Sequence, residues 1–377
     1  MNKFHRGKIS FSTFLSPADP PNVTTLRSAL RRHRFQPLSP NDPHDESAGW
    51  VDPFLSFETK EFPNCYFRDY YLFSLRSDRY HFPPSHLRPF FEEELHCFKE
   101  EHKVAFVSRY QRNEIREAAV RRARALTLPR PTITEVAWDL GENRLFLFSQ
   151  AKKVKDIFLR LFEQTFGIVP QISGIADALS RIEQKEKLTS LLTKGMPLHL
   201  QTAKESNTGA PPPTPEAIPP FLGQEFLLWL YWRSSSDSYY YLEPFGIGNA
   251  DLVLEEQITL ASLTGDGYHE TIHTPEVACH EDVRASIKAG RIPTTARIKV
   301  WRGEVEWRFT LSAFPLVMRS LRLPNAVGMD DDEETIHARL QSLREIESVM
   351  RAIFHLFLLE RTNRTFLSTM RKIIGHE

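Results

Sequence analysis

The stretch of this chain that most suggests chemistry is a run of arginines between Lys103 and Arg130. It holds eight basic residues and only two acidic ones, Glu114 and Glu117. At 100° per residue on a helix, four of its arginines share an arc of about 120°: Arg109, Arg112, Arg116 and Arg124. Guanidinium groups repeated along a rigid axis suit a phosphate backbone, because each donates paired hydrogen bonds and each neutralised phosphate releases counterions. The pattern predicts either a polyanion-binding face or a solvated charged face.

Two further basic groups flank this run. On a predicted early helix over residues 24–34, Arg27, Arg31 and Arg34 stack at i, i+4 and i+7. A second group, Lys152, Lys153 and Lys155, occupies the first turn of a predicted helix over 152–166. The backbone dipole disfavours cations at that end of a helix. Either a bound polyanion or simple exposure to water would make these lysines tolerable.

A zinc-protease-like motif reads His269-Glu270-Thr271-Ile272-His273. In a helix, two histidines at i and i+4 face one zinc ion while the glutamate acts as general base. Here glycines precede the motif and Pro275 follows it, which leaves about two turns of helix at most. Cys279-His280 fits no standard zinc-finger spacing. We therefore expect a polar loop rather than a metal site.

The remaining motifs argue against catalysis. The acidic run Asp330–Glu334 lies where carboxylates stabilise the start of a terminal helix, which favours helix capping over metal binding. The sequence has no phosphate-binding P-loop, no dinucleotide fingerprint and no nucleophile elbow. From these motifs we predict no catalytic residue, no metal and no cofactor.

Composition sets the broad class. The 377 residues include 48 basic and 48 acidic side chains and 41% hydrophobic residues, which excludes a disordered chain. Residues 1–200 carry a net charge of +6 and residues 201–377 a net charge of −6, so the charge is segregated. The longest apolar run, Phe226–Trp232, is far shorter than the roughly 20 residues of a membrane helix. The start of the chain lacks a secretory apolar core. We expect a cytoplasmic protein with no membrane partner.

The segment 203–220, AKESNTGAPPPTPEAIPP, divides the chain into two parts. Its prolines and polar residues predict an extended linker or loop. It separates a basic N-terminal half, residues 1–202, from an acidic C-terminal half, residues 221–377. The predicted elements of the first half are strands at 8–15 and 70–75, helices at 24–34, 84–102, 108–127 and 152–166, and a hairpin at 133–148.

The second half is predicted to mix helices and strands in the same way. Its expected elements are helices at 223–233 and 275–289, a strand at 250–262, a hairpin at 294–311 and a long terminal helix at 334–361. At 1.5 Å per residue that last helix would be about 40 Å long, enough to brace a domain or a dimer. Strands and helices alternate without regular βαβ units, so the predicted class is α+β with mixed antiparallel sheets in several subdomains.

The chain resembles the RdgC family of bacterial recombination-associated DNA-binding proteins over most of its length. The likeness rests on the order and spacing of short segments rather than on any one of them. These segments are Gly49-Trp50-Val51, Tyr71–Asp78 with Pro83, Leu128-Pro129-Arg130, Ala137-Trp138-Asp139, Ala151-Lys152-Lys153, Phe226–Leu230 and Ala289-Gly290-Arg291.

The resemblance implies a non-enzymatic, nucleoid-associated protein with an elongated, curved protomer. Two such protomers close into a ring-shaped homodimer around double-stranded DNA, bind it without sequence preference and limit access of the recombinase RecA. A metal-dependent DNA exonuclease remains the alternative. The candidate DNA-binding residues are Arg27, Arg31, Arg34, Arg109, Arg112, Arg116, Arg121, Arg124, Arg130, Lys152, Lys153, Lys155 and Arg291.

The chain also departs from the family pattern in two places. After Arg130 it reads Pro131-Thr132-Ile133-Thr134, where the family usually carries an aromatic residue at the far subunit contact. The Pro-rich 203–220 segment is longer than the family pattern leads us to expect. The first departure bears on how a ring of this type would close.

Overall fold

The computed structural model describes residues 3–42, 44–57, 60–175, 220–262, 268–323, 332–361 and 364–374. The predicted linker 203–220 lies outside these ranges apart from Pro220, and so do Asp330 and Asp331 of the acidic run. The chain forms two compact units. We call Leu15–Gln171 the N-terminal unit, and Met1–Phe14 together with Ile172–Glu377 the C-terminal unit. Strands β1 (Ser12–Leu15) and β7 (Gln171–Ser173) lie at the two junctions.

The N-terminal unit combines an antiparallel sheet with four helices among its described residues. Its strands run in the order β2-β4-β5-β6, and β3 pairs with β4. Its elements are α1 (Val23–Arg32), β2 (Glu46–Val51), β3 (Tyr66–Phe67), β4 (Tyr70–Arg79), α2 (Pro84–His102), α3 (Arg109–Ala125), β5 (Arg130–Asp139), β6 (Arg144–Leu147) and α4 (Lys152–Phe166).

The core of the N-terminal unit follows the apolar periodicity of α4. That helix buries Ile157, Phe158 and Phe162, which recur at helical spacing on one face. Trp50 of β2 is fully buried, and its Nε1 donates a hydrogen bond to Thr165 Oγ1 of α4 at 2.8 Å. Helix α4 spans 152–166 as predicted, so apolar spacing alone was sufficient to locate it.

Helices α2 and α3 form a helical hairpin with unequal burial. Ser108 caps α3 through a reciprocal capping box with Gln111. Helix α3 buries Ile115, Ala119 and Ala123, whereas α2 has no buried residue along its 19 positions. Both helices confirm the predicted elements, and the large apolar side chains of α2 are half-buried.

The C-terminal unit is built on a second antiparallel sheet with the order β10-β9-β11-β12-β13, and β8 pairs with β9. Short 3₁₀ turns lie at Glu243–Phe245 and Val277–Cys279. The other elements are α5 (Pro220–Ser236), β8 (Tyr239–Tyr240), β9 (Ala250–Ala261), β10 (His269–Glu276), α6 (Glu281–Lys288), β11 (Ile292–Arg302), β12 (Val305–Ala313), β13 (Leu316–Arg322), α7 (Asp332–Arg361) and α8 (Arg364–Ile374).

Helix α5 packs into the aromatic core of the C-terminal unit. The rings of Phe226 and Phe354 meet edge to face with centroids 5.0 Å apart, and Trp229 Nε1 donates to Glu360 at 2.8 Å. Phe226 and Trp229 are fully buried. These aromatics are therefore core residues and do not form a base-stacking surface.

The first residues of the chain belong to the C-terminal unit. Ile9 exchanges backbone hydrogen bonds with Leu321 of β13, at 2.9 and 2.7 Å. The buried guanidinium of Arg339 on α7 donates to the carbonyl oxygens of Lys3 and Gly7 at 3.2 and 2.9 Å. Burial lowers the pKa of Arg339, whose guanidinium is stabilised by these two carbonyl contacts.

The structure confirms the α+β class and the two predicted hairpins, and corrects one predicted helix. Residues 275–289 do not form a single helix: β10 runs to Glu276, and α6 begins only at Glu281. Strands β2 and β13 were not predicted, because their apolar residues do not alternate cleanly. Among the helices described, none is long and apolar enough to cross a membrane.

Candidate nucleic-acid interface

Helix α3 presents a row of exposed arginines: Arg109, Arg112, Arg116 and Arg121. The helix packs through its alanine and isoleucine face, which turns these guanidinium groups outward. Arg112 lies over the ring of Phe91 on α2, with 5.6 Å between the guanidinium carbon and the ring centroid. Within the described residues, none of the four has an acidic partner. We call these four residues the α3 arginine row.

Two surface depressions border this row. One, of about 420 Å³, lies between α2 and α3, with Leu87 and Phe91 beneath Arg112 and Arg116. The other, of about 620 Å³, is lined by Arg116 and Arg121 together with Asn41, Asp42, Asn113, Glu117, Val120 and Arg124. Arg116 therefore borders both depressions and lies at the centre of the row.

Arg124 does not belong to this exposed row, contrary to the prediction. Its side chain is 8% exposed and forms an ion pair with Asp45. It also donates to the carbonyl oxygen of Asp42 at 2.5 Å and lies over the ring of Tyr80. Because it anchors the loop before β2, Arg124 is a structural residue. Helical spacing correctly placed Arg124 on the same arc of α3 as Arg112 and Arg116. It gave no information about the loop before β2, which covers the Arg124 side chain.

Arg122, in the same basic run, is also engaged within the unit. Its guanidinium contacts Glu93 at 3.1 Å and Glu94 at 3.3 Å, both on α2. These contacts raise the pKa of this exposed guanidinium. Glu93 and Glu94 of α2 thus pair with Arg122 and not with the α3 arginine row.

The predicted row on α1 is not formed. Helix α1 ends at Arg32, so Arg34 lies beyond it and the i, i+7 relationship fails. Arg27 is half-buried, and it donates to Cys65 Sγ at 3.4 Å and to the Pro63 carbonyl at 3.3 Å. Arg31 forms an ion pair with Glu61. Of the three, Arg34 alone is exposed with no acidic partner among the described residues.

The lysines of α4 occupy the first turn, as predicted, and Lys153 has a partner that the sequence did not reveal. Its Nζ lies 2.7 Å from Glu46 Oε2 on β2. Burial acts to raise the pKa of Glu46, but hydrogen bonds from Lys153 and Ser77 outweigh it and lower the pKa overall. Lys152 is exposed and Lys155 is half-buried. In the protein without a bound polyanion, this internal carboxylate balances the charge of Lys153.

Arg130 opens β5 on the exposed end of the sheet. It lies directly opposite Arg79 of β4, and the next residue across on β2 is Glu46. Arg79 is exposed and was not identified from the sequence. Its position beside Arg130 depends on the register between β4 and β5, which no local sequence pattern indicates. Strand β5 starts at Arg130 itself, so the segment after it continues the sheet.

Arg291 is engaged inside the C-terminal unit. It forms an ion pair with Glu270, donates a hydrogen bond to Ser286 Oγ at 3.2 Å, and lies over the ring of Tyr268 with 4.3 Å between the guanidinium carbon and the ring centroid. Its neighbour Glu270 also accepts from Ser286 Oγ at 2.9 Å. These contacts give Arg291 a structural role in positioning β10 and α6.

The zinc-protease-like motif forms part of a strand. His269 and His273 both lie on β10, where a separation of four residues places their Cα atoms about 13 Å apart. The two imidazoles therefore cannot share one zinc ion in the protease manner. Throughout the described part of the chain, no group of three or more histidine, cysteine, aspartate or glutamate side chains could hold a metal ion.

The candidate interface thus belongs to the N-terminal unit. Its members are exposed or half-buried and lack an acidic partner in the described ranges: Arg34, Arg109, Arg112, Arg116, Arg121, Arg130, Lys152 and Lys155. Arg79 joins them from the structure. Comparison of the chain with protein-family models and with curated proteins finds no match.

Proposed function

We propose that this protein binds double-stranded DNA without sequence preference and acts in homologous recombination in the manner of the RdgC family. The observation that carries the proposal is the α3 arginine row, Arg109, Arg112, Arg116 and Arg121. These side chains are exposed along one rigid helix, and no acidic side chain of the described residues neutralises them. By contrast, Arg31 on α1 and Arg122 on α3 are each paired with glutamate.

The spacing of the row suits a polyanion better than a small ligand. Twelve residues separate Arg109 from Arg121, which corresponds to about 18 Å along the helix axis. Duplex DNA carries one charge per roughly 1.7 Å of its axis, so such a row can meet several phosphates at once. Contacts to phosphates position a protein on DNA but carry no sequence information. This chemistry favours binding of any duplex sequence.

Self-association into a homodimer is the second part of the proposal. Helix α2 has no buried residue, and Phe106 and Tyr110, at the turn between α2 and α3, are 92% and 74% exposed. Aromatic side chains this exposed are typical of surfaces that another chain covers. In the RdgC manner, two protomers would enclose the duplex as a ring and limit access of RecA to it, in the cytoplasm and at the nucleoid.

The test is binding of labelled random-sequence duplex DNA at several salt concentrations, paired with the molar mass of the protein from sedimentation. With about six phosphate contacts, we expect log affinity to fall with log salt at a slope near −5. We also expect a dimer mass and the same affinity for unrelated sequences. A flat slope would remove the basis of the proposal, and a monomer at binding concentrations would remove the ring.

A magnesium arm of the same experiment addresses the exonuclease alternative. DNA recovered after incubation with and without magnesium is compared on a gel. We expect intact DNA in both cases. Shortening that requires magnesium and stops with a chelator would assign the protein to the nucleases instead.

A strand-exchange assay with RecA then tests the role in recombination. Protein bound to the duplex beforehand should slow strand exchange in proportion to the length of duplex that it covers.

A further inference from the structure

A row of three charged side chains crosses the end of the N-terminal sheet. The antiparallel register places Glu46 of β2 opposite Arg79 of β4, and Arg79 opposite Arg130 of β5. Residues directly opposite each other on neighbouring strands have Cβ atoms about 5 Å apart. Two arginines are therefore held side by side on one face of the sheet.

This arrangement is unfavourable in the isolated protein. Like charges directly opposite each other destabilise a sheet. Glu46 lies on the far side of Arg79 and is itself engaged by Lys153 at 2.7 Å and by Ser77 Oγ at 3.0 Å. Arg130 has no acidic partner in the described ranges. One carboxylate thus balances three cations, and the cluster retains an excess of positive charge.

Glu46, Arg79 and Lys153 line a depression of about 220 Å³, and Arg130 lies opposite Arg79 in the strand register. Ser77 of β4 and Thr132 of β5 add hydroxyl groups to its lining, and the remaining lining residues are Leu75, Thr134, Val154 and Ile157. Hydroxyl and cationic donors therefore converge from two strands and from the first turn of α4. Ala151 at the N-cap has no side chain that could occupy the free N–H groups of that turn. Cationic and hydroxyl donors that line a small depression suit a single phosphate group.

We infer that Arg79, Arg130 and Lys153 form a second backbone-phosphate site for DNA, and that Glu46 is an internal counter-ion that competes with the phosphate for this site. The inference rests on the proposed function, because it names a contact of the same DNA complex outside the α3 arginine row. Phosphate entry frees Lys153 from Glu46 and relieves the repulsion between the two arginines. Glu46 thus weakens DNA binding in the native protein.

The first test is Glu46→Gln, which keeps the side-chain shape and an acceptor oxygen but removes the competing charge. We expect the affinity for random-sequence duplex to rise roughly three- to tenfold near 0.1 M salt, and the salt slope to steepen by about 0.9, one added phosphate contact. The matched control is Glu163→Gln, an exposed residue of α4 about 15 Å along the helix from Lys153. The control should change affinity less than twofold, because salt screens charges beyond about 10 Å.

The second test is Arg130→Gln. If the two arginines are held together to bind a ligand, the Arg130→Gln variant should bind DNA more weakly than wild type. Its thermal midpoint should be higher by roughly one to three degrees, because the substitution removes a repulsive pair. A purely structural arginine would give a lower midpoint. The inference would be overturned if the Glu46→Gln variant, shown to unfold normally, bound DNA no more tightly than the Glu163→Gln control. In that case DNA binding by the α3 arginine row would still stand. Absence of DNA binding by wild type and variants alike would overturn the inference and the proposed function together.

Discussion

The Arg124 guanidinium donates a hydrogen bond to the Asp42 carbonyl oxygen at 2.5 Å and anchors the loop that leads into β2. Only three residues before it, Arg121 is exposed on the same helix. Two arginines in one basic run therefore have different surroundings: one holds a loop and the other faces solvent. This difference can be measured directly.

Replacing Arg124 should destabilise the protein without a specific loss of DNA binding. Arg124→Ala removes a buried hydrogen bond to Asp42 and the ion pair with Asp45. We expect the free energy of unfolding to fall by about 1–3 kcal/mol. Denaturant unfolding measures this loss, with Arg121→Ala as the control expected to stay within about 0.5 kcal/mol of wild type. Equal stability of the two variants would contradict the structural assignment of Arg124.

Neutralising residues of the α3 arginine row should weaken DNA binding and leave the free energy of unfolding almost unchanged. With Arg112, Arg116 and Arg121 changed together to Gln, three phosphate contacts are lost and the salt slope should fall by about 2.7. Affinity near 0.1 M salt should fall at least about thirtyfold, while stability changes little because the side chains are exposed. A charge-matched control changes Lys288, Arg319 and Arg322, exposed residues of the C-terminal unit, to Gln. If the control weakens binding as much, net charge rather than the row governs affinity.

Acid should destabilise the C-terminal unit through His355. Burial lowers the pKa of this imidazole, which packs on the Phe245 ring with centroids 4.7 Å apart. The unfolded chain therefore binds the proton more readily, so stability is greatest above the ordinary histidine pKa of about 6.5 and is lost as the pH falls through the lowered value. Thermal midpoints between pH 8 and pH 5 should decline less steeply for His355→Phe than for wild type. His86→Phe, on the exposed side of α2, should retain the wild-type slope.

Zinc should have no role at the His269–His273 motif. The two histidines lie on β10 about 13 Å apart, and Glu270 between them is paired with Arg291. We expect protein purified without chelator to hold no stoichiometric zinc by metal analysis. His269→Ala with His273→Ala should leave DNA affinity unchanged. One zinc per chain that disappears in the double variant would refute this assignment.

The sequence determined those features that depend on local periodicity. Apolar spacing located α4 and α7, because an amphipathic helix encodes its own inward face, and turn residues located the two hairpins. The α+β class followed from the order of these elements. The excess of arginine in α3 was visible for the same reason, since residues three and four apart share a helical face.

Tertiary structure decided which cations remain available to bind a ligand. Arg124, Arg27 and Arg291 are held by partners 79, 38 and 21 residues away in the sequence, and no local spacing indicates such partners. The Arg79–Arg130 pair exists only because β4 and β5 align in one register. A charged side chain is identified by its sequence position, but whether it is free or paired depends on which distant segment packs against it.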